Sequence, residues 1–283
     1  MFTFVLDWLN QAQLPLLGIL LMIGMIAAAV ASHTFRQIQD RQDAAGGNER
    51  SESQESYIVS AVLGLLALLL GFTFSLATDR FEARRGLVLE EANAISTAFL
   101  RTQLLDEPHR ARLSKLLIEY VDNKIALGKA ADLDTGVPLL AADDKYLTDI
   151  WTATSAAFVS IKTLDFSSTF VDSMNNMIEL DAARRSARQA HVPTEVFAVL
   201  LAYLVVSAGV LGYVLSARRG WLASIFLMGL LTVSLLLIID IDRPTSGGIS
   251  ESQRPRERLR DSLKSQPTSV YDRLREPQPQ LGR

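Results

Sequence analysis

Three histidines, His33, His109 and His191, are the first places to look for proton transfer or metal binding in this chain. A helical metal site wants ligands at a fixed short spacing, as two histidines four apart supply, and none of the three has a second histidine at helical spacing. Asp106 and Glu195 lie three and four residues from His109 and His191, but Pro108 and Pro193 place both pairs at helix starts, where a carboxylate caps free amides. Asp134-Thr135-Gly136 matches a tripeptide whose carboxylate works in pairs that share a proton; it occurs once here, in a stretch that reads as a turn. The absence of cysteine removes thiolate ligands, cysteine nucleophiles and disulfides. Neither a Gly-rich phosphate loop nor a Gly-x-Ser-x-Gly elbow is present. The expectation is therefore no catalytic residue, no metal, no cofactor and no enzyme.

A different chemistry is written into the spacing of small side chains. Ser60, Gly64, Ala67, Gly71, Ser75 and Thr78 recur along one face of a helix, within an otherwise large and apolar run. Small residues let helices approach closely in lipid, and the same face could equally line a pore. Asp79 and Arg80 sit where this helix would leave the hydrocarbon, next to Glu82, Arg84 and Arg85. Rings of such charges set ion selectivity in channels, whereas oppositely signed neighbours also pair with one another. Asp240, Asp242 and Arg243 close a second apolar run before Pro244. A pairing of Asp240 and Asp242 with Arg80, Arg84 and Arg85 at one membrane surface is expected.

The elements that must position these residues follow from composition. Hydrophobic residues make up 49% of the 283, yet charged residues still reach 21%, so the two kinds must be segregated. The net charge of −3 gives no argument for a nucleic-acid partner. Four apolar blocks, at residues 14–31, 57–78, 196–215 and 221–239, are each about as long as a helix needs to cross a bilayer. Met1 to Gln13 carries no Lys or Arg, so the first block is expected to stay as a span and not to be cleaved as a signal. Five residues, Ser216 to Gly220, join the third and fourth blocks and predict a tight antiparallel hairpin. His33 to Ser56, with Gly46-Gly47, predicts a flexible loop.

Between residues 79 and 192 the pattern turns charged and amphipathic. Val88, Ala92, Ile95 and Phe99 form one helical stripe, Leu113, Leu116, Leu117, Tyr120 and Val121 a second, and Leu147, Ile150, Trp151, Phe158 and Ile161 a third. A weaker fourth holds Phe170, Met174 and Met177. Asp106 is the expected N-cap of the second of these helices, and Gly128 to Asp144 the expected loop. The predicted class is an all-α membrane protein: a first transmembrane hairpin in residues 1–78, a helical extramembrane domain in 79–192, a second hairpin in 193–244, and a mobile polar tail in 245–283.

The run Leu70-Gly71-Phe72 through Asp79-Arg80-Phe81 and Glu82-Ala83-Arg84-Arg85 resembles the bestrophin signature. With Glu90-Glu91-Ala92-Asn93-Ala94-Ile95, Pro108-His109-Arg110 and Asp240-Ile241-Asp242-Arg243-Pro244, the chain up to about Leu263 is similar to the bacterial bestrophin-like membrane proteins. That resemblance implies a pentamer with the second helix lining an anion pore, and a hydrophobic neck at Phe72, Leu68 and Gly64. Gly64 departs from the bulky residue such a neck uses, and the second aromatic after Asp-Arg is replaced by Glu82.

The pore-lining candidates are thus Gly64, Leu68, Gly71, Phe72, Ser75 and Thr78; the boundary cluster is Asp79, Arg80, Glu82, Arg84, Arg85, Asp240, Asp242 and Arg243. Expected partners are the lipid bilayer, further copies of the chain and small inorganic anions. More Lys and Arg flank the spans on the side of the helical domain, which places that domain and both termini in the cytoplasm of a bacterial inner membrane. Two classes of function stand: an oligomeric anion channel, or a non-conducting membrane sensor or scaffold whose helical domain binds a ligand or a protein.

Overall fold

The computed structural model describes residues 13–44, 52–130, 133–214, 218–244, 248–265 and 269–272, and every regular element among them is an α-helix. In chain order these are α1 (Leu14–Ala44), α2 (Glu52–Thr102), α3 (His109–Lys129), α4 (Leu133–Ile161), α5 (Ser167–Gln189), α6 (Thr194–Val214), α7 (Arg218–Asp242), α8 (Arg254–Ser265) and α9 (Ser269–Asp272). Stretches long and apolar enough to cross a membrane lie within Leu14–Arg41, Tyr57–Thr102, Ser167–Val214 and Gly220–Asp242. The chain is an all-α membrane protein.

It divides into two compact units, Met1–Phe81 with His191–Ser250, and Glu82–Ala190 with Glu251–Arg283. The first holds the apolar helices. Leu17, Met25 and Ala29 of α1 meet Leu200, Leu204 and Leu211 of α6 and Met228 and Leu235 of α7 in one buried cluster, which Leu66, Leu70 and Ala77 of α2 join. Small residues permit this closeness, as they must between helices that have no hydrophobic drive to associate in lipid. A methyl group added at Gly212 would collide with the backbone of Ala29, and one at Gly18 would lie 2.8 Å from Leu236 Cδ1. At the far end of α6, Arg36 Nη1 donates to the carbonyls of Tyr213 (2.6 Å) and Val214 (3.2 Å), satisfying groups that the helix terminus leaves open.

The second unit is a soluble-type bundle. Ile95 and Phe99 of α2, Leu113, Leu117 and Tyr120 of α3, Ile150 of α4, Phe170, Met174 and Met177 of α5 and Leu259 and Leu263 of α8 share a core. Most of the predicted stripes are found there, but Trp151 and Phe158 remain 41% and 40% exposed.

Four sequence expectations are corrected. The loop expected at Gly128 to Asp144 is overturned, because α3 runs to Lys129 and α4, from Leu133, takes in Pro138; so near the helix start the missing amide costs a single hydrogen bond. The loop from His33 to Ser56 is shorter too: α1 runs on to Ala44 and α2 begins at Glu52. Helix α3 starts at His109, and the carboxylate accepting from its first turn is Glu107, from Ala111 N at 3.1 Å, where Asp106 was the expected cap. The tail from residue 245 was expected to be mobile, yet α8 buries Arg256, Leu259 and Leu263. Its sequence is too polar for apolar burial alone to hold it, and its ion pairs supply the rest. Residues 273–283 of that tail lie outside the described residues.

Candidate pore face and its boundary charges

Helix α2 has two faces. Leu66, Leu70, Thr73 and Ala77 are buried in the first unit's core. At 3.6 residues per turn the opposite side carries Gly64, Leu68, Gly71, Phe72 and Ser75, and all five are exposed. Phe72 is 66% exposed and Leu68 52%. Nothing lies within 4 Å of a methyl group added at Gly64 or Gly71. Among the described residues, the part of the stripe from Gly64 to Ser75 therefore does not pack against another helix. Thr78, half-buried, turns its hydroxyl back to Phe74 O at 2.9 Å, and buried Thr73 does the same to Leu69 O at 2.8 Å. Both hydroxyls are thereby satisfied without water, as an apolar medium requires.

The boundary charges find separate partners. In the first unit Asp242 Oδ1 accepts from Val192 N at 3.0 Å, its Oδ2 lies 3.6 Å from His191 Nδ1, and Asp240 Oδ1 accepts from Gly248 N at 2.6 Å. Asp242 thus ties the end of α7 to the start of α6. Asp79 is exposed and Arg80 half-buried; Arg243 is buried. In the second unit Glu82 and Arg85 pair across one helical turn at 3.4 Å, both exposed, while buried Arg84 faces Glu251 at 3.2 Å. Backbone amides at Val192 and Gly248 compete well for a carboxylate, and no sequence pattern marks them.

Sequence reasoning missed a larger feature, a buried ionic network in the second unit. Lys124 Nζ lies 2.5 Å from Asp143 Oδ2, 3.6 Å from Glu91 Oε1, and in contact with Asp181. Glu91 also receives Arg256, and Arg184 at 3.3 Å. Arg185 reaches Asp143 at 2.6 Å and Asp181 at 2.7 Å, and Arg188 faces Glu251 at 3.8 Å. Burial pushes the Lys124 ammonium below its ordinary pKa, with Glu91 pulling it back up. Burial likewise lowers Arg256. It raises Tyr120 well above the usual phenol, and the carboxylates of Glu91, Asp181 and Asp143 add to that. A signal existed: Glu91 and Lys124 occupy core positions of stripes that are otherwise apolar, between Val88 and Ile95 and after Leu117 and Val121. A charge at such a position must find an opposite charge.

A description of the Bestrophin-like domain matches residues 26–255. No curated protein matches the chain. Among solved structures, a tryptophan-to-alanine variant of a bacterial bestrophin homologue from Klebsiella pneumoniae is 14% identical, with a TM-score of 0.64 over 90% of this chain and 96% of that one. An isoleucine-to-threonine variant of the same homologue is 14% identical, with a TM-score of 0.64 over 87% and 97%. The structure of that homologue phased on zinc gives 15% and 0.60 over 87% and 95%. These likenesses show a shared fold. Since the match extends over residues 26–255, well over half of the chain, the chain belongs to the Bestrophin-like family.

Proposed function

We propose that this protein is an oligomeric channel for small inorganic anions, with copies of α2 arranged around the path. One observation carries the reading: the stripe from Gly64 to Ser75 faces away from the chain's own helices, while the opposite face of the same helix is buried. A continuous face of small and apolar residues on a membrane helix needs a lining partner, lipid, or a path. Phe72 and Leu68 are the candidate neck, and Gly64 widens it where a third bulky ring would stand. Family membership supports a ring, and the resemblance implies five copies. The arginine bias supports a cytoplasmic bundle in a bacterial inner membrane.

The test uses purified protein in detergent and in liposomes. A closed ring by mass, chloride flux, and faster flux in Phe72→Ala are the expected results. A monomer or dimer whose liposomes do not leak chloride would sink the proposal and leave the sensor or scaffold reading.

A further inference from the structure

Alongside the ionic network, the second unit carries an open groove of about 560 Å³ lined by Glu82, Arg85, Gly86 and Leu89 of α2 and Arg254 and Arg258 of α8, with Ser252 and Pro255 at its edge. Its charge is lopsided. Arg254 and Arg258 stand four apart on α8, hence on one side of it, and both are exposed. Arg85 and Glu82 pair at 3.4 Å, with side chains 62% and 58% exposed. Every other arginine of α8 has a carboxylate: Arg256 has Glu91 and Arg260 has Asp261. Within the described residues, Arg254 and Arg258 alone on this helix present guanidinium forks with no acid to meet. Between them the floor is empty, since nothing lies within 4 Å of a methyl group added at Gly86. Apolar Leu89, 52% exposed, and half-buried Pro255 give the walls a hydrophobic strip.

We infer that this groove binds a phosphate-bearing anion, held by the forks of Arg254 and Arg258 with Arg85 beside them. Planar guanidinium forks match phosphate oxygens two at a time, which a lysine cannot do. A groove of this volume is within the range of small-ligand sites, about 300–1,000 Å³. Arg85, Arg254 and Arg258 are all exposed, and the phosphate they would recognise can come from a lipid headgroup or from a soluble anion. The inference rests on the groove and not on conduction.

The experiment uses the full chain, with inorganic phosphate titrated calorimetrically in detergent and phosphatidylglycerol adducts counted by native mass spectrometry from nanodiscs, against phosphatidylcholine. Arg254→Gln/Arg258→Gln should weaken binding by about tenfold or more, as loss of two charge-assisted forks requires. Gly86→Phe should do the same with every charge in place, by filling the floor, and Glu82→Gln should tighten binding. A control double variant, Arg112→Gln/Arg260→Gln, removes equal charge from the second unit outside the groove and should bind as the parent does. Phosphatidylglycerol adducts without phosphate binding assign the lipid source; phosphate binding that competes with them assigns the soluble one. Equal loss in the control, unchanged binding in both groove variants, or no binding of either probe by the parent overturns the inference.

Discussion

Glu91 has no exposed surface and faces Arg256, Arg184 and Lys124 at once. Such a group stabilises little compared with an apolar residue of its size, yet removing it takes from buried Arg256 the carboxylate it faces and from Arg184 and Lys124 one of theirs. Glu91→Gln should therefore cost about 3–5 kcal/mol, read as a fall in the apparent melting temperature of detergent-solubilised protein; an unshifted melting curve would refute the network. Tyr120, whose buried hydroxyl has no hydrogen-bond partner among the described residues, gives a pH signature. Its folded pKa is raised above the unfolded value of about 10, so its contribution is complete below that value and is lost as pH rises through the folded pKa. Lys124, shifted down, acts with opposite sign and below its ordinary value, where stability rises with pH. Tyr120→Phe isolates the phenol: stability near neutral pH should hold while the alkaline loss flattens, as pH-jump denaturation would record. Asp79 bears a different forecast. It is exposed at the end of the candidate pore face, so Asp79→Asn should raise the chloride-to-sodium permeability ratio, and a reversal potential that stays put argues against that placement.

Among the elements, the tight seat of α1 on α6 is the most exacting. Gly212 lies against the backbone of Ala29, which cannot swing aside as a side chain can. Gly212→Leu should cost about 1–3 kcal/mol or prevent insertion of a folded product; a yield and melting temperature equal to the parent's would show that the helices do not meet there. Elements whose information is local were legible beforehand. The apolar blocks, the stripes through Ile95, Leu117 and Met174, and the run of α2 past the lipid all follow from period and length. Helix α8 was not, because its two buried leucines are too few to announce a core face, and its anchor, Arg256 on Glu91, joins residues 165 apart. Helix α4 was misjudged for the opposite reason: Asp134-Thr135-Gly136 and Pro138 are strong local turn signals, and the packing of Ile150 and Ile161 overrides them.

For the whole molecule, the same division separates what could be read in the site. The faces of α2 are a property of one helix, so the stripe from Gly64 to Ser75 was visible in advance. Its outward direction was not, since that depends on which side Leu66, Leu70 and Ala77 find their partners. Lys124, Asp143 and Asp181 come from three helices and gather around Glu91 only once the bundle closes. Within the second unit, α2 and α8 are clasped at one buried point, Arg256 on Glu91, and apolar burial adds only Leu259 and Leu263 to hold α8. Cutting the clasp should let α8 peel off before the rest of the bundle opens. Limited proteolysis of Glu91→Gln would then cut first within residues 254–265; a digestion pattern matching the parent's would mean that the other contacts keep that helix seated.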